Sequence, residues 1–302
     1  MSDFLRVHDR TADQLLRLVD EALVLEADFR HRRTRQELAG RRVAMWWDGE
    51  GFRNRAAFEL GTALLGAVAV EIPGSVGARE AIEDMGAYLG NWFDLIVVRT
   101  PSFRSLRTLA ESSPAVVVNA RTRHNHPCEI LGDLSHLHAT GRDLSEPFQL
   151  VFVGEAGNLC HSWLEAAAVL PIDVVQVCPP GHEVDLDRWR DSIEGSPVGS
   201  VSIARSLDDV VSTADVVYTD CWPAGIDDAT RRRFLELQIT ADFLDRCSPS
   251  LHFLPCPPVT RGQEVSDDAM AHGSCRVVEA KGWLLHAQNA LLVHSLAGAG
   301  DA

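Results

Sequence analysis

The sequence lacks long apolar runs and an excess of positive charge. No apolar run approaches the roughly 18 residues that a membrane-spanning helix needs, and the first residues do not have the layout of a signal peptide. The formal net charge of -15 argues against a nucleic-acid groove or an anionic membrane surface. We therefore expect neither nucleic acid nor membrane as a partner.

Paired cysteines and clustered metal ligands are also missing. The seven cysteines are scattered singly, without a Cys-x-x-Cys pair, which is typical of reduced thiols and predicts a cytoplasmic location. Two His-x-His sets, at 124–126 and 136–138, have no third ligand at a convincing spacing. The sequence thus predicts no bound metal.

What is present is an alternation of short β-branched runs with helical runs, which is typical of parallel sheets covered by helices. The predicted strands are 43–47, 67–72, 95–99 and 115–118, then 150–153, 174–177, 216–218 and 251–254. The predicted helices include 11–35, 54–65, 78–89, 102–111 and 128–138. We expect an α/β protein with two doubly wound parallel-sheet domains, 1–140 and 141–283, and an active-site cleft between them. A final helix, 284–298, is expected to pack back on the first domain.

The loops after the predicted strands are the places to look for a site, because open α/β sheets bind ligands at the carboxyl ends of their strands. In the first half these loops hold Arg53, Asn54, Arg99, His126 and Glu129. Arginines beside a helix N-terminus suit an anion. A single arginine at a strand end is more often a surface or ion-pair residue. Its position alone therefore does not identify it as an anion ligand.

In the second half the corresponding loops hold Asn158, Asp220 and Cys256. An amide, a carboxylate and a thiol are groups that can bind an amine. A cleft with an anion side and an amine side would bring a donor to an acceptor.

The order and spacing of several blocks resemble one family. These blocks are "GFRNRAAFELGTALLGAVAV", "VVVNARTRHNHPCEILGDL", "VFVGEAGNLCHSWLEAAAVL", "ADVVYTDCW", "FLPCPPVTRGQEVSDDAM" and "LLHAQNALL". Together they are similar to the aspartate/ornithine carbamoyltransferase family, and more closely to its ornithine branch, over nearly the whole chain. The resemblance implies transfer of a carbamoyl group from carbamoyl phosphate to an amine. It also implies a homotrimer that uses no metal or organic cofactor.

The resemblance carries roles onto individual residues. Arg53 and Arg99 would hold the phosphate, in a donor site that also includes Asn54 and Glu129. His126 would polarise the carbamoyl oxygen. On the acceptor side, Asn158 and Asp220 would orient an amino acid, and Cys256 would lie near the attacking amine. His126, Cys256 and Arg99 are thus the expected catalytic residues.

The donor loop departs from the family pattern. Where the family has serine and two threonines, this chain has Gly51, Phe52 and Asn54, and Glu129 replaces the glutamine of His-Pro-Cys-Gln. Whether Phe52 fills the pocket is left open by the sequence. Further departures are Leu284 for a tail arginine, Pro255 for a histidine, and "PAG" from Pro223 for the Ser-Met-Gly acceptor loop.

These changes predict a carbamoyltransferase-like enzyme with an unusual amine or amino-acid acceptor, for instance in specialised metabolism. One alternative is a different donor, with Glu129 as an acid or base of raised pKa. Another is a non-catalytic homologue that keeps the scaffold.

Overall fold

The computed structural model describes residues 2–49 and 51–296. The chain forms two compact units, which are Met1–Arg142 with Lys281–Ala302, and Asp143–Ala280. The sequence placed the boundary at 140. Two residues of the predicted final helix, 297 and 298, lie outside the described residues.

The first unit contains a four-stranded parallel sheet in the order β2-β1-β3-β4. Its strands are β1 (Arg42–Trp47), β2 (Val68–Ile72), β3 (Leu95–Arg99) and β4 (Val116–Arg121). The valines and isoleucine of the inner strand β3 are buried, as expected where helices cover both faces of a parallel sheet. Strand β2 lies at the edge and is largely exposed.

Five helices of the first unit follow the predicted order, namely α1 (Ala12–Arg30), α2 (Phe52–Leu64), α3 (Ile82–Gly90), α4 (Phe103–Ser112) and α5 (Pro127–Ala139). Helix α1 begins with a reciprocal capping box between Thr11 and Gln14. It ends at Arg30, earlier than predicted, because Arg32 adopts a left-handed backbone conformation with φ 54°. The side chain of Arg35 then pairs with Asp28.

The second unit contains a five-stranded parallel sheet in the order β7-β6-β5-β8-β9. Its strands are β5 (Phe148–Val153), β6 (Ile172–Val177), β7 (Ser200–Ala204), β8 (Val216–Thr219) and β9 (His252–Pro255). Strand β7 was not predicted. It is a short edge strand with two serines and one buried side chain, so its apolar pattern is weak.

The remaining helices are α6 (Asn158–Ala167), α7 (Leu186–Asp191), α8 (Asp228–Leu235), α9 (Ala241–Arg246), α10 (Asp267–Ala271) and α11 (Val277–Leu296). Helix α11 begins at Val277, before the predicted start at 284, and from Lys281 onward it belongs to the first unit. Two parallel α/β sheets with flanking helices confirm the predicted fold class. Within residues 2–49 and 51–296, no helix combines the length and apolarity needed to cross a bilayer.

Candidate functional site

The sheet of the first unit gathers the predicted donor-site residues at one edge. Strands β1, β3 and β4 are neighbours, so their carboxyl ends lie side by side. Arg53 follows β1 in the first turn of α2, and Arg99 ends β3. His126 and Glu129 follow β4 at the start of α5. This edge is also where the topology changes direction, between β1 and β3, which is the usual ligand position in such sheets.

Gly51 and the guanidinium of Arg99 lie in close contact. A Cβ atom built on Gly51 would be 2.7 Å from Nη1 and 2.8 Å from Cζ of Arg99. Real Cβ atoms do not approach other atoms so closely, so any side chain at position 51, including the serine of the family motif, would displace Arg99. Glycine at this position therefore makes room for Arg99.

Arg99 provides a half-buried positive charge. Burial, the nearby guanidinium of Arg121 and that of Arg53 lower the pKa of Arg99 to about 10, against the opposing effect of Glu129. Arg99 is therefore still protonated at neutral pH. Its buried Nε has no hydrogen-bond partner within residues 2–49 and 51–296. A buried N–H without a hydrogen-bond partner lowers the stability of the folded protein, and a bound anion would accept its hydrogen bond.

Phe52 lies at the surface of the first unit. Its side chain is 72% exposed, and the guanidinium of Arg53 lies 5.0 Å from the ring centroid, in a cation–π contact. The phenyl ring is thus exposed and contacts Arg53, and it is not buried beside Arg99.

His126 is buried at the N-cap of α5. Burial lowers its pKa to about 4; the carboxylate of Glu129 opposes this shift, and the positive charges of Arg121 and Arg99 add to it. At neutral pH the ring is therefore neutral and carries one N–H. Its Nε2 lies 3.4 Å from Nδ2 of Asn54.

Glu129 is a buried carboxylate and not a proton donor. Burial alone would raise its pKa, but the ammonium of Lys281, 2.8 Å from Oε1, and the Asn54 amide outweigh burial. Nδ2 of Asn54 donates to Oε2 of Glu129 at 2.9 Å. The pKa of Glu129 is held well below its usual range. The hypothesis of an acid or base with a raised pKa is therefore wrong.

Asn54 connects three helices of the first unit. Besides its bond to Glu129 on α5, its Oδ1 accepts a hydrogen bond from Nε2 of Gln288 on α11, at 2.7 Å. Both polar atoms of the Asn54 amide are thus engaged inside this unit. A direct contact of Asn54 with a donor stays a prediction.

Lys281 and Arg121 belong to this region but were missed. Lys281 is the only lysine in the 302 residues, and its Nζ also lies 2.8 Å from Oδ1 of Asp133. The presence of a single lysine in the sequence was the signal that could have identified this residue. Arg121 was missed because β4 was predicted to end at 118 and in fact continues to Arg121. Leu284, where the family pattern has an arginine, is buried against Gly132.

The sheet of the second unit gathers the predicted acceptor residues in the same way. Strands β5, β8 and β9 are neighbours. Asn158 opens α6 after β5, Asp220 follows β8, and the buried Cys256 follows β9. Oδ1 of Asp220 accepts the backbone N–H of Cys221 at 2.8 Å. The three side chains therefore belong to one edge of this sheet.

An aromatic cluster that sequence reasoning missed lies near the same edge. His182 follows β6 and Trp222 follows β8, and both rings contact Phe234 of α8, with centroid distances of 4.8 and 5.4 Å. Glu155, on the loop after β5, lies 3.6 Å from Nδ1 of His182, and burial raises the pKa of this carboxyl. In the part of the chain that the structure describes, no group of three His, Cys, Asp or Glu residues is arranged to hold a metal ion.

Comparisons with known proteins agree over both units. Residues 2–139 match the sequence model of the aspartate/ornithine carbamoyltransferase carbamoyl-P binding domain. Residues 146–295 match that of the Asp/Orn binding domain of the same family.

Individual relatives are similar over most of their length. The chain is 32% identical to the ornithine carbamoyltransferase of Chlorobaculum tepidum, covering 96% of this chain and 88% of that protein. It is 30% identical to the chloroplastic ornithine carbamoyltransferase of Pisum sativum, covering 98% and 80%. Among solved structures, ornithine carbamoyltransferase from Pyrococcus furiosus superposes with a TM-score of 0.88 at 26% identity, covering 96% of each chain. The chain therefore belongs to the aspartate/ornithine carbamoyltransferase family.

Proposed function

We propose that the protein transfers a carbamoyl group from carbamoyl phosphate to an amine or amino-acid acceptor. The observation that carries this proposal is the half-buried Arg99, whose Nε has no hydrogen-bond partner among the described residues. Its guanidinium lies against the bare Cα of Gly51. Arg53 follows in the first turn of α2, and its guanidinium adds a second charge for the phosphate.

In the proposed reaction the acceptor nitrogen attacks the carbamoyl carbon. A carbon–nitrogen bond forms, the bond from that carbon to the phosphate oxygen breaks, and phosphate leaves with the electron pair. The proton that the amine loses goes to the leaving phosphate. His126, neutral because burial lowers its pKa, donates its N–H to the carbamoyl oxygen, where negative charge develops. Arg53 and Arg99 stabilise the leaving phosphate.

The second unit is proposed to bind the acceptor. Its match to the Asp/Orn binding domain and the shared sheet edge of Asn158, Asp220 and Cys256 support this role. Asn158 and Asp220 would orient the acceptor, and Cys256 would lie near its attacking nitrogen.

The acceptor is proposed to differ from ornithine. Pro255 stands where the family pattern has a histidine, and "PAG" from Pro223 replaces the Ser-Met-Gly loop. The aromatic ring of Trp222 directly precedes that segment. These changes fall on the segments that hold the acceptor in the family pattern, so we expect a changed amine.

The decisive experiment measures phosphate release from carbamoyl phosphate with a panel of amines, diamines and amino acids that includes ornithine. We expect release with one acceptor class, with the carbamoylated product identified by mass. Arg99→Met should lower kcat/KM about 10²-fold, as for other losses of a charge-stabilising donor. The exposed Arg104→Met is the matched control and should leave activity unchanged. Phosphate release no faster than the background rate with every acceptor would contradict the proposal and favour the non-catalytic alternative.

A homotrimer and a cytoplasmic location complete the proposal. An exposed apolar surface of the first unit supports self-association. This α2/β2 face consists of Leu60 and Leu64 on α2, and Val68 and Val70 on the edge strand β2. Uncovered edge strands and apolar patches are commonly covered by another chain.

A further inference from the structure

A cavity of about 170 Å³ lies in the first unit, where the N-terminal part of α1 meets the last turns of α11. Its lining includes Arg10, Gln14, Arg17, His294 and Ser295. None of the residues assigned to the donor site lines it, so it is a second, separate feature of this unit. Its volume is below the 300–1,000 Å³ or so that drug-sized ligands occupy, and it suits a small ion or group.

Arg10 gives the cavity a fixed positive charge. Its side chain is only 8% exposed. Nη2 donates to the carbonyl of Ser2 at 2.9 Å, and Nη1 donates to the carbonyl of Asp3 at 2.9 Å. These bonds go to neutral backbone groups, so they hold the guanidinium in place without cancelling its charge.

The carboxylates nearest to this charge are directed to other partners. Oδ1 of Asp3 accepts a backbone N–H of β4 at 2.8 Å, and Oδ2 of Asp9 accepts two backbone N–H groups at 2.8 Å. Glu21 pairs with Arg35 at 3.0 Å. None of the described residues that line the cavity is acidic. The lining therefore combines positive charge with neutral hydrogen-bonding groups.

Ser295 is a second, independent indication of a ligand. Its side chain lines the cavity and is 3% exposed, yet its Oγ has no hydrogen-bond partner within residues 2–49 and 51–296. A buried hydroxyl is normally hydrogen-bonded, since leaving it without a partner costs about 1–3 kcal/mol. A ligand oxygen in the cavity would accept its hydrogen bond.

We propose that this cavity binds a small oxyanion of the size of phosphate, either free or carried on a small metabolite. Arg10 supplies fixed charge, and Ser295 supplies a buried hydroxyl donor. Arg17 and Gln14, which are exposed on α1, supply donors that can adapt to the ligand. The site is independent of the proposed donor site.

The test measures binding of inorganic phosphate by calorimetry on the full chain carrying Arg53→Ala, which weakens the proposed donor site. We expect one remaining phosphate site. Adding Arg17→Gln should weaken it about 10-fold, which is the loss of about 1.4 kcal/mol, and adding Ser295→Ala should weaken it at least 3-fold. The matched control Arg104→Gln removes an exposed arginine of α4 and should leave affinity unchanged. Glycerol phosphate in place of phosphate tells a free ion from an esterified ligand.

Three results would overturn the inference: no phosphate binding in the Arg53→Ala protein, equal affinity in the Arg17→Gln and control proteins, or equal affinity in the Ser295→Ala protein. Should Arg53→Ala fail to fold, tungstate soaked into crystals of the unaltered protein replaces calorimetry. Anomalous density beside Arg17 and Ser295 is then expected, and its absence contradicts the proposal.

Discussion

Lys281 and Glu129 form an ion pair inside the first unit, with Nζ and Oε1 2.8 Å apart and side chains only 8% and 4% exposed. The same ammonium contacts Asp133, one helical turn further along α5, at 2.8 Å. One lysine thus holds two buried carboxylates. Removing one partner of a buried pair leaves an uncompensated charge and is far more costly than losing a surface pair.

We predict that Lys281→Met lowers the free energy of unfolding by about 3–5 kcal/mol, because two carboxylates lose their cation. Glu129→Gln should cost clearly less, since Lys281 keeps its contact with Asp133. Urea unfolding of both variants measures the difference. Arg107→Met, which removes an exposed ion pair with Glu111, is the surface control and should cost less than about 1 kcal/mol. Equal losses in the two buried variants would contradict this account of the network.

We predict that the protein loses stability as pH falls from about 6.5 to about 4. Burial lowers the pKa of His126 from 6.5 to about 4. In this window the unfolded chain therefore binds a proton that the folded chain does not. Stability contributed by the neutral ring is complete above pH 6.5, and the slope is about 1.4 kcal/mol per pH unit. Urea unfolding at a series of pH values measures it.

His126→Gln should make the dependence of stability on pH between 4 and 6.5 less steep, because the glutamine amide does not titrate. Part of the slope should remain, since burial also lowers the pKa values of other histidines, such as His8 and His286. His31→Gln, at the exposed end of α1, is the matched control and should keep the original slope. An unchanged slope in His126→Gln would show that another group causes the loss.

The sequence predicted the alternation of strands and helices well, because short apolar β-branched runs such as β3 are typical of buried parallel strands. It also predicted that Arg53, Arg99 and His126 lie at or just after the carboxyl ends of strands. It did not predict the pairing of Lys281 with Glu129 and Asp133. That pairing joins residues about 150 positions apart, and local periodicity carries no information about such a contact. The raised pKa expected for Glu129 failed for the same reason, since burial was foreseeable and its cation was not.

We predict that Gly51→Ser weakens carbamoyl phosphate binding about 10-fold, although serine is the residue of the family motif. Its Cβ would lie 2.7 Å from Nη1 of Arg99, so the guanidinium has to move away from its present position. The free energy of unfolding should also fall, by about 1–3 kcal/mol, because Gly51 has φ 156°, a backbone conformation that residues with a side chain rarely adopt.

Calorimetric titration with carbamoyl phosphate measures the effect of Gly51→Ser. The control is Gly273→Ala, where a Cβ meets no atom within 4 Å, and its affinity should not change. Tighter binding by Gly51→Ser would show that the present position of Arg99 does not favour the donor.

We predict a particle of three chains, three times 33.1 kDa, in sedimentation. Val68→Lys with Val70→Lys places two charges on the α2/β2 face and should yield single chains, because desolvating unpaired charges is costly. Val198→Lys, at an exposed valine of the second unit, is the control and should leave the particle intact. A single-chain mass for the unaltered protein would exclude the trimer.

The confinement of the only lysine to the interior also affects the chemical reactivity of the protein surface. Electrophiles that modify primary amines, including the cyanate released when carbamoyl phosphate decomposes, react with the unprotonated amine. Here the one ε-amine is enclosed and pairs with two carboxylates, while the exposed side-chain cations are guanidiniums, which such reagents attack poorly. The side chains of the folded protein should therefore tolerate its own proposed donor without losing positive charge.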